Sequence, residues 1–382
     1  MDLYLIKLSC SDDCDCTGRG PSRMEKIIAT ALAESSINCH MEVLCGSRAF
    51  IAAAEAERLR NNRIIFAADL DESGVNIEAV RVLKYLNTHY EALCGSAGGV
   101  IVDGAGELFT KDLGRRIVFS ANMAGCVFPG KPLVEATGSL TNFAVSAKLW
   151  DESLEGAYTE SCRLLIEKVT SFNESDYGGE VQQANQSGTD SSKPKVLAIH
   201  AGNRETSNSF SLWRKAAEYL KGRADIEEIS IRNGQVLDCR GCRYEDCLHF
   251  GENAGCFYGG VMVEKVYPAI LRSDVLVLIC PNYNDSVSAN IMAFINRLTA
   301  LFRTSDFSRK RIYAIVVSGY SGGDIVAQQI IGAINMNKNF ILPSHFAMLE
   351  TANDPGTALK LPGIEERTKA FAYRIISYQI QD

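Results

Sequence analysis

"KVLAIHAGNRETSNSFSLWRKAAEYLKG", residues 195–222, decides how the chain must be read. Val196–Ala201 is a short, continuous apolar run, the pattern of a strand covered on both faces. From Phe210 onward, apolar residues recur at Trp213, Ala216, Ala217 and Leu220, the spacing of one helical face. Between them, "HAGNRETSNSF" holds hydroxyl and amide side chains, one glycine and one arginine. A strand passing through such a loop into a helix is the opening unit of a parallel α/β sheet. In sheets of that kind, ligands sit beyond the carboxyl ends of the strands.

Working outward, further strands are predicted at Ile226–Ile231, Val275–Cys280, Ile312–Ser318 and near Phe346–Glu350, with helical patterns between them. Five strands and their crossovers predict a doubly wound, flavodoxin-like parallel sheet of order 2-1-3-4-5. The N-terminal half repeats the plan in "DLYLIKL", "NCHMEVL", "NRIIFAA" and "AGGVIVDG", each followed by a helical stretch. From Ile101 to Glu135 is 34 residues, and from Ile315 to Glu350 is 35, so two tandem copies of one fold are expected. The polar run "FNESDYGGEVQQANQSGTDSSKP" reads as a tether. The expected division is a first domain over 1–172, a flexible linker over 173–194 and a second domain over 195–382.

The 382 residues are 46% hydrophobic and 22% charged, the balance of a globular chain. A net charge of −7 argues against nucleic acid as a partner, because such proteins need a basic footprint. No apolar run approaches the roughly 20 residues that span a bilayer, and "MDLYLIKLSC" does not read as a signal peptide. Thirteen cysteines without such a signal point to reduced thiols and a cytoplasmic location.

Three loops are expected on one edge of the second sheet. In the first, the backbone at Gly202 and Asn203, the hydroxyls of Thr206, Ser207 and Ser209, and the Arg204 guanidinium form a candidate phosphate cradle at a helix N-terminus. The second, "CPNYNDSVSAN", places Tyr283 two positions after Pro281, with Asn282 and Asn284 beside it, where a planar ring would lie. The third, "SGYSGGD", offers Ser318, Gly319, Tyr320, Gly322 and Gly323, whose glycines allow close backbone approach. Neither a GxGxxG fingerprint nor a Walker loop is present there. The three together describe a pocket for a phosphorylated, flat, polar ring system. His200 stands near the first loop; the other four histidines form no ligand or triad pattern.

In these loops the second half resembles the flavodoxin-like NAD(P)H-dependent FMN reductase family over about residues 194–350. Arg204, Asn208 and Ser209 match the arginine, asparagine and threonine of that family's first loop. Pro281 and Tyr283 match its third-strand motif, and Ser318-Gly319 its fourth. One departure is Ala201-Gly202, where the family carries Gly-Ser, so one phosphate hydroxyl is missing. The resemblance implies FMN as cofactor, with its phosphate held by Arg204, Asn208 and Ser209. It implies that the ring is held by Tyr283, the Pro281–Asn284 backbone and Ser318–Tyr320. It further implies NAD(P)H as the hydride donor, a quinone, flavin or similar acceptor, a small-molecule or protein redox partner, and a homodimer. The chemistry would belong to the cofactor, so no acid or base side chain is expected to be obligatory. Two other readings stay open: an electron-transfer protein without nicotinamide activity, and a flavin-free binding module.

"DCRGCRYEDCLHFGENAGC", residues 238–256, brings Cys239, Cys242, Cys247 and Cys256 close in sequence. Iron–sulfur members of the same family carry a compact cysteine motif at this place, which implies a [4Fe–4S] cluster. Here the gaps are two, four and eight, wider than the usual compact spacing. Zinc lacks its customary second close pair, and a Cys239–Cys242 dithiol couple is a further reading. The irregular spacing weighs toward reduced thiols that hold no metal.

The equivalent first loop of the N-terminal half, "SCSDDCDCTGRGPSRM", contains Asp12, Asp13 and Asp15, which repel phosphate unless Arg19 and Arg23 offset them. Cys10, Cys14 and Cys16 lie in it with irregular spacing. "ADLDES" stands where the tyrosine motif would be. The first copy is therefore read as degenerate, without a second FMN, and as covering the flavin of the second half or helping to bind reductant or acceptor.

Overall fold

The computed structural model describes residues 2–9, 20–173, 193–232 and 236–377. Most of the tether, and the first-half loop that carries Cys10, Asp12, Asp13, Cys14, Asp15, Cys16 and Arg19, lies outside the described residues. The chain divides into two compact units: Met1–Phe172 with Leu342–His345, and Asn173–Ile341 with Phe346–Asp382.

In the first unit the strands are β1 (Leu3–Leu8), β2 (Met41–Cys45), β3 (Arg63–Leu70), β4 (Ala97–Gly104) and β5 (Leu133–Ala136). They form one sheet of order β2-β1-β3-β4-β5, parallel throughout. The helices are α1 (Arg23–Glu34), α2 (Gly46–Glu55), α3 (Ile77–Leu86), α4 (Thr110–Met123), α5 (Ala144–Trp150) and α6 (Leu154–Ser171). The apolar faces of α1 and α6 pack with Leu3, Leu5, Ile65 and Ile101 into one core.

The second unit repeats this architecture. Its strands are β6 (Lys195–His200), β7 (Asp225–Ser230), β8 (Val275–Pro281), β9 (Arg311–Ser318) and β10 (Ala347–Thr351). The sheet order β10-β9-β8-β6-β7 is again 2-1-3-4-5. Glu135 lies opposite Val102 in the first sheet and Glu350 opposite Val317 in the second, the same separation in both units. The helices are α7 (Asn208–Leu220), α8 (Tyr244–Gly251), α9 (Tyr267–Arg272), α10 (Ala289–Phe302), α11 (Gly323–Ile330) and α12 (Ile364–Ile376). The central strands β8 and β9 are buried almost end to end, as continuous apolar runs in a doubly covered sheet must be. Edge strand β7, "DIEEIS", is exposed at Asp225 and Ile226 and half-buried or buried over the rest. Trp213, fully buried, packs on Val196, Val277 and Ile315 at the centre of the core on one side of the sheet.

Candidate functional site

Strand order reverses between β6 and β8, which are direct neighbours, so the crevice where doubly wound sheets take ligands opens between their carboxyl ends. All strands of this sheet are parallel, which brings the loops after β6, β8 and β9 out on one edge.

The loops after β8 and β9 are latched together. Tyr283 and Ser286 exchange backbone hydrogen bonds of 3.1 Å around a two-residue turn. Its central residues, Asn284 (φ 52°) and Asp285 (φ 56°), are both left-handed, the conformation of a type I′ turn and one that Asn and Asp tolerate best. Asn282 donates through Nδ2 to Ser318 Oγ (3.1 Å) and to the Ser321 carbonyl (2.8 Å), and its backbone N–H donates to Val317. Asn282 Oδ1 is buried with no partner. Gly322 caps α11 with φ 82°, and a Cβ there would overlap Asp285 Oδ1. The third-loop glycine thus makes room for a second-loop carboxylate. Above this latch Tyr283 is 57% and Tyr320 83% exposed, so two aromatic rings stand free at the edge. Pro281 is the last residue of β8 rather than a loop residue.

The loop after β6 is organised by Ser207, which caps α7 by accepting from the Phe210 N–H and lies 3.0 Å from the Ser209 hydroxyl. Gly202 is required beneath it, because a Cβ would press on Ser207 Oγ at 2.9 Å. Asn203 closes the turn, accepting from the Glu205 N–H at 2.9 Å. The first turn of α7, like that of any helix, carries N–H groups without intrahelical partners, which favour an anion. Asn208 is committed elsewhere. Its Nδ2 donates to the Ala352 and Asp354 carbonyls, and its Oδ1 accepts from the Ala358 N–H. In this conformation it anchors the loop after β10. Arg204 donates to Glu228 on β7 at 2.6 Å and is 60% exposed. An exposed pair of this kind contributes about 0–1 kcal/mol, so exchanging the carboxylate for a phosphate is inexpensive. Glu228 also accepts from Trp213 Nε1 at 3.3 Å. Sequence reading missed Glu228, Asp285 and the Asn282 bridge; of these, only the Asn-Asp pair carried a local signal, that of a two-residue turn.

His200 ends β6 fully buried against Phe210, with no hydrogen-bond partner on either ring nitrogen and Glu228 Oε1 3.7 Å from Nε2. Burial pushes its pKa below the ordinary imidazole value, and the nearby carboxylate only partly offsets this. Above the unfolded value of about 6.5 both states are neutral and His200 adds no pH dependence. As pH falls through that value the unfolded state takes the proton first, so stability is lost until the lower native pKa is passed. Thermal unfolding between pH 7 and 5 is expected to show a shallower pH slope in His200→Gln than in the wild type. Equal slopes would remove His200 from the acid response.

The four cysteines of residues 238–256 come together around one cavity of about 160 Å³, whose wall also includes Phe250, Phe257, Arg297 and Arg303. Cys239 is fixed by Asp238, whose Oδ1 accepts from the Cys239 N–H and from Asn296 on α10. Cys247 sits in the first turns of α8, which packs so tightly on α10 that a Cβ at Gly251 would lie 2.6 Å from the Ala300 carbonyl. Among the described residues, no three His, Cys, Asp or Glu side chains converge on a single metal ion. A larger cavity of about 360 Å³ runs along β7 beside Glu227, Glu228, Glu264 and Arg272.

In the first unit the protein's own side chains tie together the corresponding carboxyl ends of the strands. Asn76, buried, donates to the carbonyls of Leu8 and Asp69 at 2.9 and 2.7 Å, which stitches β1 to β3 at the reversal point. Arg23 holds Asp103 through Nε and Nη2 and also donates to the carbonyls of Gly104, Thr137 and Gly138. The start of α1 carries its own anion, because the Glu25 carboxylate accepts from the Ser22 N–H in a capping box.

Among the described residues no helix is long and apolar enough to cross a membrane. No curated protein matches the chain in sequence. Among solved structures it is similar to RosB with a bound 8-demethyl-8-formylriboflavin-5′-phosphate intermediate (13% identity, 48% of this chain and 78% of that one, TM-score 0.39). It is similar to an FMN-dependent NADH-azoreductase from Bacillus anthracis in complex with FMN (14%, 48% and 99%, TM-score 0.33). A Trp repressor binding protein from Bacillus subtilis is similar at 22% identity (47% and 98%, TM-score 0.31). At these identities the activities remain those of the proteins named. The segment running from the start of β6 to just past β10, residues 194–354, matches the NADPH-dependent FMN reductase family.

Proposed function

We propose that the second unit binds FMN across the loops after β6, β8 and β9 and works as an NAD(P)H-dependent oxidoreductase. The observation that carries this reading is the family match over 194–354, which spans all three loops. FMN, when bound, accepts a hydride from the nicotinamide and passes electrons to a quinone, flavin or similar acceptor. The residues present fit such a group. The α7 N-terminus with Ser209, and Arg204 released from Glu228, would hold the phosphate. The latched Pro281–Asn284 and Ser318–Tyr320 backbones would meet the polar ring edge, and the orphaned Asn282 Oδ1 offers it an acceptor. Tyr283 and Tyr320 would flank the ring. Asn208 would act from behind, by pinning the 352–358 loop. The first unit, whose strand ends are tied by Asn76 and the Arg23–Asp103 pair, is proposed to hold no flavin.

The test is titration of the full chain with FMN, followed by anaerobic mixing with NADPH and with NADH. Bleaching of the flavin bands by either nucleotide is the expected result. A bound flavin that both leave oxidised would make the protein a carrier, and failure to bind FMN would make it a flavin-free module.

The thiols of Cys239, Cys242, Cys247 and Cys256 line one cavity, but among the described residues no three ligand side chains are grouped as a metal ion requires, and the proposed function therefore rests on FMN alone.

A further inference from the structure

We infer that Glu228 is a positioning residue shared between Arg204 and His200: a flavin phosphate that draws Arg204 away leaves the carboxylate to His200, which takes up a proton as FMN binds. This rests on the FMN reading above. His200, at the carboxyl end of β6, is fully buried, and neither ring nitrogen has a hydrogen-bond partner. A buried polar group left in that state costs stability, and an apolar side chain would fill the same space at less cost. Glu228 Oε1 lies 3.7 Å from Nε2, a few tenths of an ångström beyond the hydrogen-bond range. The same oxygen accepts from Arg204 Nη2 at 2.6 Å, while Oε2 accepts from Trp213 Nε1 at 3.3 Å. One carboxylate therefore faces an exposed guanidinium that is free to leave and a buried imidazole that is not.

The charges around His200 fix the direction of the change. Burial, the largest effect, and the Arg204 cation disfavour the imidazolium, while Glu228 on β7 and the Gly202 backbone favour it, and the balance lies below the ordinary value. Opposite His200 on β8 stands Ile279, and Phe210 of α7 lies against the ring; neither titrates. Around Glu228, the cavity along β7 also carries Glu227, Glu264, Lys265 and Arg272, and Glu227 is already paired with Arg272. When Arg204 moves to a phosphate, His200 loses a repelling cation and Glu228 loses its counter-ion. The phosphate brings further negative charge to the same loop. Each change raises the imidazole pKa. The proton comes from solvent and goes to Nε2, and the imidazolium replaces Arg204 as the partner of Glu228. Between the His200 pKa of the free protein and the higher one of the complex, FMN affinity rises as pH falls. Outside that window His200 leaves the affinity unchanged with pH.

The test is isothermal titration calorimetry of the full chain with FMN at pH 7, in two buffers of different ionisation enthalpy, which counts the protons taken up per flavin bound. Wild type is expected to take up about 0.3 proton or more beyond His200→Gln. That comparison cancels the titration of the phosphate itself near pH 6. Glu228→Gln should also lose the uptake. At pH 8 it should bind FMN about twofold or more tighter than wild type, because Arg204 then meets the phosphate without a competing carboxylate. A Glu228 that only holds Arg204 in place would weaken binding on the same substitution. If His200→Gln fails to fold, Glu228→Gln decides. Equal proton uptake in wild type and variant, or weaker FMN binding by Glu228→Gln at pH 8, overturns the shared carboxylate and leaves the FMN reading standing. A wild type that binds no FMN overturns both.

Discussion

Gly322→Val is expected to weaken FMN binding at least tenfold. Gly322 holds a left-handed backbone at φ 82°, which costs a side chain roughly 1–2 kcal/mol and more when it is β-branched. The added carbons also fall on the Asp285 carboxylate and against Asn282 Nδ2. Asn282 is the group that fastens the loop after β8 to Ser318 and Ser321 after β9. Displacing it would separate the two segments proposed to hold the ring, while the apolar strands beneath them stay packed. FMN fluorescence quenching gives the affinity, and far-ultraviolet circular dichroism checks that the fold is kept. Gly319→Ala is a graded comparison, because its Cβ would meet only the Asn353 side chain, at 3.0 Å, and should cost less. A folded Gly322→Val protein with wild-type affinity would move the flavin away from these loops.

Arg23→Met is expected to destabilise the first unit by about 2–4 kcal/mol, below the ~3–5 kcal/mol of fully buried pairs. The reduction reflects solvent screening, since the Arg23 side chain keeps 31% of its surface while Asp103 keeps 9%. The substitution leaves a buried carboxylate without its cation and three carbonyls, Gly104, Thr137 and Gly138, without their donor. Adding Asp103→Leu should restore part of the loss, because the uncompensated charge goes with it. Hydrogen exchange of the full chain reads this directly: protection should fall in β1, β3 and β4 and hold in β6–β10. Unchanged protection in Arg23→Met would mean that the Arg23–Asp103 pair adds nothing to the stability of the first unit.

How much of this could be read from residues alone depends on how local the information is. The strands around Ile199, Val277 and Ile315 announced themselves because a doubly covered parallel strand needs an unbroken apolar run. The repeat was visible in the separations of Ile101 from Glu135 and of Ile315 from Glu350, since equal crossovers consume equal lengths of chain. The three loops could be placed on one edge, because parallel strands all end on the same side. The partners of individual side chains could not be placed. Asn208 looked like a phosphate ligand beside its helix start, but its amide reaches Ala352 and Asp354, far along the chain. Arg204 was legible as a phosphate contact, but not its pairing with Glu228 on the neighbouring strand.

The cysteines show the same division. Their gaps in sequence weighed against a metal, but could not show that a turn at Gly241, the helix Tyr244–Gly251 and the loop to Cys256 bring all four to the wall of one cavity. Amino-acid order was enough to specify two parallel α/β sheets, the edge at which each would meet a ligand, and the residue types waiting there. Which of those side chains remain available, and which are consumed by the protein's own carbonyls and carboxylates, was settled by through-space contacts. Periodicity is a property of neighbouring residues, whereas a hydrogen bond or a thiol-lined cavity depends on where distant segments come to rest.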